Sequence, residues 1–172
     1  MKLLEIRDAD IGLKPKGGAK YIPRNSARAV ISNKGKVAFL YSGRDKYHML
    51  PGGGVEPGET TLEALEREIF EEVGCSIRVV QEIGEIVEHL THAGVNQTSH
   101  CFLAEVVKEG TPIFTPDEIE EGMELLWVPI DKAIELIKSE KPAAYHAKFI
   151  VKRDLMFLET ARALLAKKSK SL

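Results

Sequence analysis

The chain has little of what would mark a secreted, membrane-spanning or nucleic-acid-binding protein. It has two cysteines and one tryptophan, and no apolar run near the ~20 residues that a transmembrane helix needs. Cys75 and Cys101 sit singly in apolar stretches. That spacing excludes a disulfide framework and a cysteine-rich metal site, and reads as two reduced, buried thiols of a cytosolic protein. The start, MKLLEIRDAD, turns acidic too early for a signal peptide. Without export, the sequon at Asn96-Gln97-Thr98 carries no expectation of glycosylation. Lysine and arginine number 24 against 26 acidic residues, a formal net charge of −2. There is thus no electrostatic case for a nucleic-acid polymer as partner. A small phosphorylated ligand is not excluded, because a bound cation inverts the local field. Lys170-Ser171-Leu172 lacks the order of a peroxisomal address and reads as a frayed basic tail.

What is present suits one globular domain spanning 1–172, with 44% apolar and 29% charged residues. Residues 1–25 are weakly patterned, punctuated by Pro15, Gly17, Gly18 and Pro23, and leave open an added strand or an arm over the substrate, with a loosely packed N-terminal extension favoured. Arg28 to Ile31 and Lys36 to Tyr41 read as strands about a turn at Ser32-Asn33-Lys34-Gly35. Further strands are expected over 77–87, 98–107 and 124–129. His89, His92 and His100 surround a loop without a second-shell carboxylate pattern, so surface or substrate-lining roles are favoured over zinc. Helices are expected over 129–138 and 143–166, the latter with a stripe of Phe149, Ile150, Met156, Phe157, Ala161 and Leu164. Strands, a helix, more strands and closing helices make a mixed α/β domain.

One stretch, Gly52 to Cys75 (GGGVEPGETTLEALEREIFEEVGC), organises the rest. Leu62, Leu65, Ile69 and Val73 recur at helical spacing and predict an apolar stripe. Glu66 falls near the middle of that stripe on an ideal wheel. Glu68, Glu71 and Glu72 gather on the flank beside it, as i, i+3 and i+4 neighbours. Like charges at that spacing destabilise a helix by about 0.2–0.5 kcal/mol per pair. A hard divalent cation with oxygen ligands would offset the repulsion. The competing reading is a solvated glutamate face, with Arg67 pairing to Glu63 or Glu71 at the surface. Gly52, Gly53 and Gly54 allow close backbone approach and unusual φ, which suits the wall of a cleft.

The complete spacing runs from Gly53 through Glu59, Arg67-Glu68-Ile69 and Glu71-Glu72 to Gly74. It resembles the Nudix box of the MutT-like pyrophosphohydrolases. Every fixed charged and glycine position of that pattern is met. Cys75 departs from it, standing where the family has an aliphatic residue, and packs as a small hydrophobe. Trp127-Val128-Pro129-Ile130-Asp131 is similar to the family's strand-to-helix exit.

The resemblance implies an α/β/α sandwich with a mixed β-sheet, the box forming a loop–helix–loop beneath a substrate cleft. It further implies an Mg²⁺-dependent hydrolase, with Mn²⁺ as a substitute, that cleaves a phosphoanhydride in a nucleoside diphosphate linked to another moiety. Glu68, Glu71 and Glu72 would be metal ligands. Glu59 and Arg67 would brace the loop, Glu59 also joining a metal site in some members. Arg44 and Lys46, ahead of the box, match basic residues that contact substrate phosphates in the family, with ordinary surface charge as the alternative. The general base is open between Glu68 and an acid of the loop before Trp127 (Glu118, Glu120, Glu121 or Glu124), with Glu121 favoured. Neither the proline that marks ADP-ribose hydrolases nor the tyrosine that marks dinucleoside polyphosphate hydrolases stands downstream, where Leu90 to Ala93 are found. A (deoxy)nucleoside triphosphate, including an oxidised one, remains by elimination. The expected partner is thus a small nucleotide in the cytoplasm, with no membrane and with a homodimer left open. The alternative is a catalytically silent module that binds a nucleotide or ADP-ribose on the same fold.

Overall fold

The computed structural model describes residues 1–18 and 20–169, without the side chains of 168 and 169, so the expected basic tail at 170–172 lies outside the described residues. Strands β1 (Lys2–Arg7), β2 (Ile22–Asn33), β3 (Lys36–Ser42), β4 (Tyr47–Met49) and β5 (Gly52–Gly54) precede helix α1 (Thr61–Glu72). Strands β6 (Ser76–Leu90) and β7 (Val95–Lys108), the short helix α2 (Pro116–Glu120), strand β8 (Met123–Val128), and helices α3 (Ile130–Ser139) and α4 (Tyr145–Ser169) follow. The sheet runs β1-β6-β7-β2-β3-β4, with β5 added to β2 and β8 to β3. Both β1–β6 and β7–β2 are parallel, whereas β6–β7 and β2–β3 are antiparallel, so the sheet is mixed.

Alternation along the central strands places helices on both faces. Val30, Val37, Phe39 and Leu103 pack with Ile134 and Ile137 of α3 and with Phe149, Phe157 and Ala161 of α4. Ala29, Ile31, Ala38 and Ala104 turn the other way, against Leu65 and Ile69 of α1 and Val73 at its C-cap. The small alanines on that face let α1 sit close to the sheet. The α/β/α sandwich follows from that alternation.

Three expectations change. Residues 1–25 are not the favoured loose extension but supply the added strand left open as the alternative: β1 pairs with β6, from Lys2 opposite Glu85 to Arg7 opposite His89, and β2 already begins at Ile22. Asp8 is buried at the join, accepting hydrogen bonds from Thr91 Oγ1 (2.8 Å) and Tyr145 Oη (2.7 Å). Leu62 is 47% exposed and leaves the stripe of α1, whose buried side chains are Ala64, Leu65, Ile69 and Glu72. The loop after β7 also carries α2, N-capped by Thr115, which accepts from the Glu118 amide. No helix among the described residues is long and apolar enough to cross a membrane.

Candidate active site

The glycine wall is an edge of the sheet. Gly52, Gly53 and Gly54 pair with Arg28, Ala27 and Ser26 of β2, and flanking bonds Ala29 N to Pro51 O (3.1 Å) and Val55 N to Asn25 O (2.9 Å) continue the match. Gly52 has φ +127° and lies so close to β2 that a Cβ would overlap the Ala27 carbonyl. A Cβ at Gly53 would overlap the Glu68 carboxylate. These two glycines let the wall, β2 and the acidic flank of α1 meet without an intervening side chain.

Helix α1 starts at a reciprocal cap. Thr60 N donates to Glu63 Oε2 (2.7 Å) and Glu63 N to Thr60 Oγ1 (3.3 Å). The helix ends against the following loop, where Ile113 N donates to Glu71 O (2.7 Å). That bond ties the α2 segment to the last turn of α1, so Glu118 lies within electrostatic reach of Glu71 and Glu72.

The carboxylates differ in environment. Glu72 is 6% exposed, and its Oε2 accepts the Gly52 N–H at 2.6 Å. Burial pushes its pKa up to about 8; the Arg28 guanidinium and the Gly52 amide pull it back, and Glu68 and Glu118 push it further. Glu71 is also raised, first by burial and then by Glu68. Glu68 Oε1 accepts from Arg67 Nη1 at 2.7 Å. Carboxylates whose ionisation is opposed first by burial, as at Glu71 and Glu72, suit a hard cation in kind. Among the described residues, however, no three acidic, histidine or cysteine side chains form a ready-made metal group. Glu72 is turned to Gly52 and Glu68 to Arg67, so a cation would have to draw these side chains together.

Arg67 is the brace. Its Nε and Nη2 hold the two oxygens of Glu59 at 2.8 and 3.0 Å, and Nη2 also reaches Gly54 O at 3.1 Å. The surface pairing with Glu63 or Glu71 therefore does not form. Arg67 holds the Glu59 carboxyl down at about 2, helped by the Glu56 amide at 2.9 Å. Both oxygens of Glu59 are thus engaged in the brace. Glu121, expected as base, pairs instead with Arg44, expected at the phosphates (Nη2 to Oε1, 2.8 Å). Arg44 N also donates to Glu121 O at 2.9 Å, fastening the β3–β4 turn to the segment before β8. Lys46 occupies the left-handed position of that turn (φ +55°) and is exposed. Among the described residues, no hydrogen bond or ion pair links Arg44, Lys46 and Glu121 to the acids of α1. The histidines also separate, His89 to Glu5, His92 to Lys14 O, and His100 towards Glu85.

Arg24 and Arg28 escape the sequence pattern, and Glu118, one of the four acids offered as base, takes a place that the pattern does not single out. The exposed Arg24 guanidinium lies over Gly54, with Nη2 3.0 Å from where a Cβ would be. Arg28 donates to Gly52 O from within a buried strand. Glu118 caps Thr115 N and Oγ1 through Oε2 alone, at 2.6 and 2.8 Å, leaving Oε1 free of partners among the described residues. A lone arginine in the run Ala27-Arg28-Ala29-Val30-Ile31 was the one available signal. The positions of Arg24 and Glu118 depend on pairing and loop path.

The NUDIX domain family model matches residues 22–150. An RNA pyrophosphohydrolase of Sulfurovum sp. is 28% identical over 137 residues, covering 70% of this chain and 86% of that protein. A dihydroneopterin triphosphate diphosphatase of Haemophilus influenzae is 29% identical over 111 residues, 57% of this chain and 67% of that protein. Among solved structures, a NUDIX hydrolase from Nitrosomonas europaea aligns with a TM-score of 0.62 at 22% identity, over 83% of this chain and 90% of that one. This last likeness is one of fold.

Proposed function

The chain belongs to the Nudix family, whose members hydrolyse pyrophosphate bonds, and from that premise we propose that it is a single-domain cytoplasmic enzyme cleaving a phosphoanhydride in a small nucleotide, a (deoxy)nucleoside triphosphate first. The observation that carries this reading is the acidic flank of α1 against the glycine wall, with Glu72 bonded to the Gly52 amide, the Glu68 carboxylate where a Gly53 Cβ would stand, and Glu71 beside Glu68. Similarity to a dihydroneopterin triphosphate diphosphatase supports a triphosphate-bearing substrate.

Glu68, Glu71 and Glu72 would hold Mg²⁺ or Mn²⁺, which when bound neutralises phosphate oxygens and lowers the pKa of a coordinated water. Arg24 attracts the phosphate chain across Gly54, and the bare backbone of Gly52 to Gly54 lets the chain lie close. Arg67 fixes Glu68 and the loop through Glu59. The attacking water gives its proton to a carboxylate. Glu118 Oε1 suits that role because the field of Glu118 reaches the site and this oxygen is not used in capping. Glu68 is the competing base.

The test is turnover of a nucleotide panel with Mg²⁺, products identified by ³¹P NMR, for wild type and Glu72→Gln. Metal-dependent cleavage that Glu72→Gln removes supports the reading. No turnover, or turnover indifferent to Glu72→Gln, rejects it, and tight nucleotide binding without turnover supports a silent binding module. Similarity to an RNA pyrophosphohydrolase favours a second reading, in which the cleaved nucleotide is the 5′ end of an RNA. An RNA with a 5′-triphosphate therefore belongs in the panel.

A further inference from the structure

Behind the glycine wall, on the face opposite α1, lies a buried polar relay that the reaction as described does not use. Arg153 and Asp154 of α4 and Glu88 of β6 are each at most 1% exposed. Arg153 Nε donates to Asp154 Oδ1 at 2.7 Å, and Arg153 Nη1 lies 3.5 Å from Glu88 Oε2. Glu88 also accepts from Ser99 Oγ (2.7 Å) and Gln97 Nε2 (2.9 Å), and Ser99 meets Ser26 at 2.9 Å. The other oxygen of Asp154, Oδ2, leaves the relay and accepts the Leu50 N–H at 2.8 Å.

Burying three charges is a poor route to stability, since well-packed apolar residues of similar volume do as well or better. Here the relay ends on the backbone of the site. Leu50 is held by Asp154, the Gly52 carbonyl by Arg28, and the Gly52 amide by Glu72, so three ionisable side chains grip one short segment. Asp154 and Glu88 lie near enough to Arg28 to favour its charge and offset the repulsion of Arg153, which joins the grip to the relay. Helix α4, packed on that face of the sheet, does this through Asp154, its only contribution to that segment's hydrogen bonding among the described residues.

We propose that Asp154, held by Arg153 and Glu88, is a positioning residue that fixes the Leu50–Gly52 segment and through it the place of Glu72. The proposal rests on the reading of α1 as the active site. It predicts a loss in kcat with little change in KM, because the segment orients Glu72 and does not itself bind the substrate's remote parts. Small displacements at an active site lower rates by up to about 100-fold.

The experiment compares Asp154→Ala, Asp154→Asn and a control, Leu158→Ala, which removes a buried α4 side chain outside the relay. Two readouts are taken on folded protein: amide hydrogen exchange at Leu50 and Gly52 without metal, and kcat and KM on the best substrate with Mg²⁺. The expected result for Asp154→Ala is exchange at Leu50 faster by about tenfold or more, and kcat lower by about 10- to 100-fold with KM within about twofold. Asp154→Asn, which keeps an oxygen acceptor, should recover part of both losses. Leu158→Ala should leave kcat and the ratio of Leu50 to global exchange at wild-type values. The proposal is overturned if Asp154→Ala folds and keeps wild-type exchange at Leu50, or if Leu158→Ala reproduces its loss of kcat. If the wild type hydrolyses nothing, the proposed function fails, while the exchange data still decide whether Asp154 grips the segment.

Discussion

Replacing Glu72 by Gln should stabilise the metal-free protein at pH 8 while removing its activity. The Glu72 carboxyl titrates near 4.5 when unfolded and, through burial, near 8 when folded. Between those values the folded chain holds a proton that the unfolded chain has released. Stability from this group is therefore complete below about pH 4.5 and declines as pH rises to about 8, beyond which both states are ionised. At ~1.36 kcal/mol per pH unit the full displacement amounts to about 5 kcal/mol. Gln keeps an oxygen for the Gly52 amide and has no proton to lose. The measurement is thermal unfolding of both proteins in a chelator from pH 5 to pH 8. Their Tm values should be close at pH 5 and diverge as pH rises, because the Glu72→Gln variant escapes this part of the wild type's decline; even ~2 kcal/mol moves Tm by about 4–8 °C. Adding Mg²⁺ at ~100 times its Kd should restore the wild type alone, by about 2.7 kcal/mol. A Tm difference that stays constant across this pH range would refute the reasoning, because other titrating groups cancel between the two proteins.

Gly53→Ala should displace the Glu68 carboxylate, and the half-saturating Mg²⁺ concentration in an activity titration should rise by about tenfold. Arg67→Lys cannot reproduce the fork on Glu59, Glu68 and Gly54, and chemical denaturation should show a loss of about 1–2 kcal/mol, reduced by partial exposure. Arg24→Ala should raise KM by about 10-fold with kcat nearly kept, as steady-state kinetics would show. Of two loop acids, Glu118→Gln should lower kcat by about 100-fold or more. Glu121→Gln, which only loosens the exposed pair with Arg44, should change kcat by less than about threefold.

Much of this protein was legible in its sequence because the governing constraints are local. The acids of α1 are spaced by the helix repeat, so their common flank is readable without any other part of the chain. Strands β2 and β3 and their turn, and the helices α3 and α4, are visible as apolar periodicity and turn residues for the same reason. The errors arise where a distant element sets the outcome. Leu62 fits the stripe by spacing but lies beyond the reach of the sheet, while Glu72 is buried because β5 folds over it. Residues 1–25 look unpatterned because β1 is recruited by β6, more than 80 positions later.

By itself the sequence determined the family, the mixed α/β class, and which acids share one flank of α1, since these depend on residue type and on spacing within one helix. Only the tertiary structure decided how those acids are held. Glu59 goes to Arg67, Glu121 to Arg44, and the wall to Arg28 and Asp154, pairings between residues 8 to 104 positions apart. Arg153 marks the difference. At four residues from Phe149 and from Phe157 it stands on the buried stripe of α4, where its neighbour Asp154 meets one side of the guanidinium and β6, by bringing Glu88 to the other, completes the compensation of a charge at that position.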